Sequence, residues 1–521
     1  MKQLVSITHE IYKAFDDGKE LRAVFLDISK AFDKVWAEGL IFKLKKLGIG
    51  GDMISILSSF LKDRKQRVTM DGVCSNWADI ESGVPQGSIL GPILFLVYID
   101  DLINEVSSDI RIFADDTFIF RTVDSDSTKE LNHDLQKITI WAHQWKMIFN
   151  PDFTKQAVEV VFSNKRKKTA LLPLTFNGIP VKQEDNTKHL GLLLDSKMNF
   201  ENHLDQKLAK ARSSIGLMKQ LKQWVSHQVL ENIYKLYARP HLDYCDIIYH
   251  QTSVGSSIFN HEISHPLMKN VETIQYEAAR VVSGAWKGTN RAKLYKNLGW
   301  ETTNDRRVLR KLCIFYETID TKFPNYLYNT INSRQYPPDS RSYNMKLLKP
   351  IHCTNPYKNS FFPSTIRDWN VLEKDIKEAQ SLQIFKKRLL NKIRPKKASY
   401  FGIRDNDKIR YLTMLRLGLS PLREHKYRHS FLDTSDPLCI VCKKKEDTEH
   451  FLLLCKSFTL SRTTLMHHIS DLIGEDLSAL PKRTMVSILL YGRKDLDNNI
   501  NFSILNHVLD YIVKSKRLDT I

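Results

Sequence analysis

The sequence predicts an α+β fold, with an antiparallel sheet carrying helices on one face, followed by a mostly helical and strongly basic region. Two observations carry this. Strand and helix patterns alternate in the order β-α-β-α-β-β-α-β over residues 21–162. From about Glu201 helical patterns dominate, and Lys207, Lys210, Arg212, Lys219, Lys222, Lys235 and Arg239 outnumber Asp205 and Glu231 along residues 205–240. The chain has 521 residues, 42% hydrophobic and 26% charged, so it can bury a core and is not disordered throughout. That length suits three or four domains. We divide it at 1–195, 196–290, 291–430 and 431–521, the third stretch being richest in connectors with short helices.

Taken in order, Leu21–Ile28 reads as a buried strand, and Trp36–Leu47 and Asp52–Leu61 as short helices. Gln66–Asp71 and Asn76–Ile80 read as strands around an Asp71-Gly72 turn, a good hairpin signal. SGVPQGSILGP (82–92) is dense in Gly and Pro and leads into an apolar helical pattern to about Val106. Asp109–Phe120 alternates and fits two strands meeting at Asp115-Asp116. Leu131, Leu135, Ile138, Trp141, Trp145 and Ile148 lie at helical spacing within Thr128–Ile148. Ala157–Phe162 is a strand, and Leu174–Ile179 with His189–Leu194 reads as a further hairpin.

The formal net charge is +19, which attracts polyanions, nucleic acid foremost. No apolar run reaches the roughly 18–20 residues needed to cross a bilayer, and the longest is Ile93–Ile99. The opening MKQLVSITHEIYKAF is broken by His9, Glu10 and Lys13 and is no signal peptide. We therefore expect a protein that is neither secreted nor membrane-bound, working in the nucleus, the cytoplasm or both. In that reducing setting its seven cysteines are free thiols or metal ligands.

Against this basic background stands an acidic island. Asp100 to Asp134 holds ten acids and three bases, a net −7, so the rest of the chain carries +26. Carboxylates beside a phosphate backbone make sense with a cation between them, and Mg²⁺ is the natural candidate. Most of these acids read as solvated helix and loop. Asp115 and Asp116 differ, because RIFADDTFIF sets them between apolar strands, where desolvation is costly unless something positive pairs with them. As a lone pair they would read as an ordinary turn. A second site changes that reading: VFLDISKAFDKVW places Asp27 at the end of an apolar strand. If that strand neighbours the hairpin, three carboxylates meet at one sheet edge and can hold two metals about 3.5–4 Å apart, one activating an attacking hydroxyl and one stabilising a leaving pyrophosphate.

These motifs resemble the reverse transcriptase of jockey-like non-LTR retrotransposons. FLDISKAFDKVW (25–36), SGVPQGSILGPILFLVYIDDL (82–102), FADD (113–116) and HLGLLLD (189–195) carry the resemblance, with FNPDFTKQAVEVVFS (149–163) a looser fifth, and it continues through RPHLDYCDIIY (239–249) and NSFFPSTIRDWN (359–370). It implies a right-hand polymerase palm over 1–195, a thumb-like helical region over 196–290, and synthesis of DNA from dNTPs on an RNA template and a DNA primer. Asp27, Asp115 and Asp116 then correspond to the catalytic aspartates holding two Mg²⁺ ions. Phe32 falls where the family has an aromatic steric gate against a ribose 2′-OH; a core aromatic is the alternative. Gln86 and Gly87 correspond to residues that position nucleotide and template, with Gly87 permitting close backbone approach. Lys155 corresponds to a lysine near the pyrophosphate. His189, Leu190 and Gly191 correspond to the primer grip; an ordinary β-turn is the alternative. Tyr98-Ile99-Asp100-Asp101 spells a catalytic tetrapeptide but continues a helical run, so it is rejected as the active site.

Near the end, Cys439-x2-Cys442-x7-His450-x4-Cys455 offers three thiolates and an imidazole, a full tetrahedral set for a structural Zn²⁺, with Lys443, Lys444 and Lys445 in the loop. Cys74, Cys245, Cys313 and Cys353 have no partners at metal spacing and read as packing thiols. Only 26 residues precede Asp27, where the family places its fingers and, further upstream, an endonuclease. The expectation is an N-terminally truncated polymerase, weak or inactive alone. A non-catalytic nucleic-acid-binding remnant is the competing reading and a metal-dependent nuclease a third. Protein partners are not legible.

Overall fold

The run LRAVFLD is buried at every position but its last, Asp27, and it becomes the central strand of a sheet. In the computed structural model, which describes residues 1–150, 157–167, 169–249, 266–334, 347–352, 354–395, 406–493 and 495–519, those residues fall into two compact units. The first comprises Met1–His203 with Lys322–Arg367, and the second Leu204–Thr321 with Asp368–Ile521.

The first unit runs α1 (Lys2–Asp16), β1 (Leu21–Asp27), α2 (Ala37–Lys46), α3 (Gly51–Leu61), β2 (Arg64–Gln66), β3 (Thr69–Met70), β4 (Val73–Cys74), β5 (Ala78–Ile80), α4 (Leu90–Ile99), α5 (Leu102–Glu105), β6 (Asp109–Phe113), β7 (Asp116–Thr122), α6 (Ser127–Gln144), β8 (Ala157–Phe162), β9 (Thr175–Phe176), β10 (Ile179–Pro180), β11 (Lys182–Gln183), β12 (Asn186–His189) and β13 (Leu192–Asp195). The main sheet has the order β11-β8-β1-β7-β6. All its pairings are antiparallel except β11 with β8. Side chains alternate between its faces. Val24 and Leu26 of β1 and Ile119 of β7 join a core with Leu40 and Leu44 of α2, Phe95 and Tyr98 of α4, and Leu131, Leu135 and Ile138 of α6. The opposite face is not bare. Phe25 and Phe118 meet the ring of His189 at centroid distances of 5.3 and 5.8 Å, so the β12–β13 hairpin lies against it.

Several sequence expectations are refined. The ladder around Asp71-Gly72 is split into two short pairs, β3 with β4 and β2 with β5. The single hairpin expected over 174–194 is two, β9–β10 and β12–β13. Helix α6 stops at Gln144; Lys146 adopts a left-handed φ of 52°, and Ile148, past the end of the helix, is exposed. Cys74 is exposed, so it is not a packing thiol, whereas Cys245 is buried. Cys353 lies outside the described residues.

The far end of the sheet is locked by charge. Arg22 of β1 and Glu159 of β8, 1% and 2% exposed, pair at 2.8 Å. Arg22 also donates to Thr128 Oγ1 and to the Leu172 carbonyl, each at 2.7 Å, so the guanidinium ties two strands to α6 and a following loop. The segment 322–367 packs on α1, where Asp16 Oδ1 accepts from the Thr354 amide at 2.7 Å and its hydroxyl at 2.8 Å.

The second unit is helical, with a C-terminal Cys/His cluster. Long helices span Pro266–Ser283, Thr303–Thr321, Leu382–Ile393 and Asn498–Ser515. Asp243 accepts from Arg306 at 2.8 Å and pairs with Arg310 at 3.0 Å; burial pushes its carboxyl up, but the neighbouring arginines win and hold it well below the usual range. Among the described residues no helix is long and apolar enough to cross a membrane.

Because an uncompensated buried charge is expensive, Arg22→Met should cost about 3–5 kcal/mol of stability. The double variant Arg22→Met/Glu159→Leu should recover most of it, read as urea unfolding midpoints.

Candidate active site

The antiparallel register of β1 and β7 runs from Leu21 opposite Thr122 to Asp27 opposite Asp116. The last pair of this ladder is therefore two carboxylates facing each other at the sheet edge. Asp115 precedes Asp116 in the tight β6–β7 turn, in which Phe113 pairs with Asp116 and Ala114 takes a left-handed φ of 52°. Asp27, Asp115 and Asp116 are all half-buried. Burial, then Asp115, then Asp27 push the Asp116 carboxyl up to about 6. Like charges crowded on a partly desolvated rim disfavour ionisation unless a cation joins them. Carboxylate oxygens are the ligands a hard divalent cation takes, but among the described residues the group whose ligand atoms are already gathered as for a metal is the Cys/His cluster of the second unit.

A residue that the sequence did not flag holds this rim in place. Asn150 Nδ2 donates to Asp27 Oδ2 at 2.7 Å, and its amide donates to the Asp27 carbonyl at 2.9 Å. The only signal was its place in FNPDFTKQ, five residues before Lys155, which lies outside the described residues. Asp33 was missed as well.

Phe32 follows β1 in a short helical turn and stacks on Phe95 at 4.6 Å with rings 26° apart. It is half-buried, so the ring is anchored by the core without being enclosed in it. Gly83 is the glycine whose lack of a side chain matters here: a Cβ there would lie 2.7 Å from Asp33 Cα and 2.7 Å from the Phe32 carbonyl oxygen. At Gly87 a Cβ would meet nothing within 4 Å, so no part of the chain itself crowds this glycine, and its φ of +82° is a conformation that favours Gly. Gln86 is exposed and reaches Asp33.

His189 is 2% exposed, and burial pulls its imidazole down to about 4; its Nε2 has no hydrogen-bond partner. Leu190 and Gly191 both take positive φ, 46° and 77°, in the two-residue loop between β12 and β13. Two such residues make a hairpin turn that matches strand twist, with Leu190 in a conformation that favours glycine or asparagine.

The tetrapeptide at 98–101 is confirmed as structural. It ends α4, Lys43 Nζ pairs with Asp101 Oδ1 at 2.7 Å, and Trp141 Nε1 donates to the same oxygen at 2.9 Å. Asp134 of the acidic island is also structural. Burial pushes its carboxyl up, but hydrogen bonds from Ser108 and Ser107 outweigh that and hold it below its usual value.

In the second unit, Cys439, Cys442, His450 and Cys455 bring one ligand atom each within 4.8 Å of one another. The Lys456 amide donates to Cys442 Sγ at 3.2 Å and, as the leading cause, pulls that thiol down. Both ring nitrogens of His450 are buried without a hydrogen-bond partner. A buried imidazole with neither nitrogen satisfied, beside three thiols, suits a tetrahedral Zn²⁺.

Residues 2–194 match the family described as reverse transcriptase (RNA-dependent DNA polymerase). A probable RNA-directed DNA polymerase from transposon X-element of Drosophila melanogaster is 28% identical over 316 residues, 58% of this chain and 33% of that protein. The RNA-directed DNA polymerase from mobile element jockey of Drosophila melanogaster is 29% identical over 298 residues, 54% of this chain and 31% of that protein. The chain thus spans about a third of the length of these relatives. Among solved structures, an apo telomerase from Candida tropicalis is 13% identical and covers 62% of this chain and 50% of that one, with a TM-score of 0.33, too low to carry an argument.

The raised Asp116 carboxyl sets a sign for pH. Its ionisation opposes the fold, so in EDTA stability should fall as pH rises from about 4 to about 6. Asp116→Asn should flatten that slope and stabilise the cation-free protein at pH 7.5 by about 1–2 kcal/mol, after discounting for partial exposure. Urea midpoints at pH 5 and 7.5 read both effects.

Proposed function

We propose, from the premise that residues 2–194 carry a reverse transcriptase domain of the jockey-like non-LTR kind, that this chain is an RNA-directed DNA polymerase. The observation that carries the reading is the register that sets Asp27 opposite Asp116, with Asp115 adjacent. In this reading residues 1–195 supply a polymerase palm, 196–290 a thumb and 291–430 a helical connector. Asp27, Asp115 and Asp116 hold Mg²⁺, which when bound supplies charge for the primer hydroxyl and the departing pyrophosphate. Asn150 keeps the Asp27 carboxylate turned to the rim. Phe32, braced by Phe95, closes the space a ribose 2′-OH would occupy. Gln86 and Gly87 form part of the nucleotide and template surface, and Lys155 is assigned to the pyrophosphate side. His189, Leu190 and Gly191 grip the primer end; support comes from His189 packing on Phe25 and Phe118, each two residues from Asp27 or Asp116 in its strand. Template RNA, DNA primer and dNTPs are the partners, and nucleus or cytoplasm the place of work.

The C-terminal cluster is assigned to one structural Zn²⁺ held by Cys439, Cys442, His450 and Cys455. Metal analysis of protein prepared without added chelator should give about one zinc per chain, as four filled ligands imply a closed structural site. Cys442→Ser should lower that occupancy and the stability of the tail.

Primer extension on poly(rA)/oligo(dT) with Mg²⁺ tests the activity. Incorporation of dTTP should fall roughly a thousandfold in Asp115→Ala, since several kcal/mol of charge stabilisation disappear. RNA binding without incorporation by the unaltered chain would leave a non-catalytic binder, and cleavage of the template without dNTPs would make it a nuclease. Phe32→Ala should admit UTP more readily relative to dTTP, the ratio of kcat/KM values being the readout.

A further inference from the structure

The SGVPQG segment is strapped to the turn that follows β1 by a set of short hydrogen bonds. The Val84 amide donates to the Phe32 carbonyl at 2.8 Å, and the Gly83 amide to the Val35 carbonyl at 2.8 Å. Ser82 Oγ donates to the Asp33 carbonyl at 2.7 Å. Arg64 braces the strap from outside, donating through Nη2 to the Ser82 carbonyl at 3.0 Å. The packing is so close that no Cβ fits at Gly83. The backbone of 82–84 is therefore fixed relative to Phe32 without any help from the Asp33 side chain.

That side chain makes a further contact. Asp33 Oδ1 accepts from Gln86 Nε2 at 2.7 Å, while both side chains remain exposed. Because 82–84 is already held by backbone bonds, this side-chain bond bears chiefly on Gln86 itself. An ionised carboxylate can only accept, so it decides which end of the Gln86 amide turns toward it. The NH₂ group is drawn to Asp33, and the amide oxygen and the second N–H are left in a defined direction. A charge-assisted bond of this length is stronger than a neutral one and holds that direction against water. The same location is a recess of about 820 Å³ lined by Lys30, Asp33, Lys34, Arg64, Lys65 and Gln86, among others, in which bases outnumber acids. An unheld glutamine there would be free to turn toward any phosphate.

We infer that Asp33 is a positioning residue for nucleotide selection, acting through Gln86 by fixing the orientation of its amide. This rests on the polymerase reading above. Asp33 touches neither the metal carboxylates nor substrate; it presets a group that does.

The test is steady-state dTTP incorporation on poly(rA)/oligo(dT) by the full chain, with ternary-complex formation on a chain-terminated primer measured in parallel. Asp33→Ala should raise KM for dTTP about five- to tenfold with kcat within about twofold, the loss expected for one charge-assisted bond acting on binding. Asp33→Asn can donate as well as accept and carries no charge, so it no longer dictates the Gln86 orientation and should raise KM about two- to fivefold, short of the Asp33→Ala effect. In a Gln86→Ala background Asp33→Ala should add less than about twofold, because the two side chains act as one unit. Asp33→Ser, too short to reach Gln86, should match Asp33→Ala and serves if that variant does not fold. An unchanged KM, a loss confined to kcat, or additivity with Gln86→Ala overturns the inference and leaves the polymerase reading intact. Failure of the unaltered chain both to extend and to form the dTTP-dependent complex removes the polymerase reading, and this inference with it.

Discussion

Carboxylates repel one another, and the first unit spends much of its packing on forcing three of them together. The ladder between β1 and β7 is apolar for most of its length, with Val24, Phe25, Leu26, Phe118 and Ile119 buried on one face or the other. Sliding either strand by one residue would turn every one of these side chains to the wrong face. The register is thus set by hydrophobic burial, and the acids at its end have no say in it. Asp27 and Asp116 face each other because the core will not permit otherwise. The repulsion appears as a raised Asp116 carboxyl. Everything else near the rim serves that arrangement: Asn150 restrains Asp27, the Ala114-Asp115 turn restrains Asp115, and the His189 hairpin covers the opposite sheet face.

Much of this was legible from residues alone, and the reasons differ by element. The strands at 21–27, 109–122 and 157–162 carry dense apolar patterns, which tolerate few alternatives. The helical tetrapeptide at 98–101 was separable from FADD because a catalytic hairpin needs strand on both sides, and only Asp115-Asp116 had it. The second half of the hairpin region was harder. Residues 174–195 contain two turns of similar composition, and pairing between short strands depends on tertiary contacts that period-two patterning does not encode. Ile148 continued the helical spacing of α6 numerically, yet the backbone had already left the helix at Lys146. Asn150 and Asp33 escaped notice because their side-chain hydrogen bonds, to Asp27 and Gln86, join residues far apart in sequence, and no periodicity reports such a bond.

The glycines teach a related lesson. Gly87, beside the polar Gln86, drew attention as the place where a nucleotide or template would come close, and the chain itself leaves the space over it open. The tight contact within the chain lies at Gly83, four residues earlier, against its own turn. A motif read as one unit in sequence divides in space: its first half is fastened to Phe32 and Asp33, and its second half presents side chains outward. The tail cluster divides labour in the same manner, with buried sulfur and imidazole facing inward and the run Lys443-Lys444-Lys445 left outside.

Gly83 also ties two distant stretches of chain into one mechanical unit. A replacement there drives a β-carbon against the Phe32 carbonyl and the Asp33 backbone, so it disturbs the turn after β1 as directly as the segment that carries it. Neither stretch can shift without displacing its neighbour, and a change at this one position is felt at both.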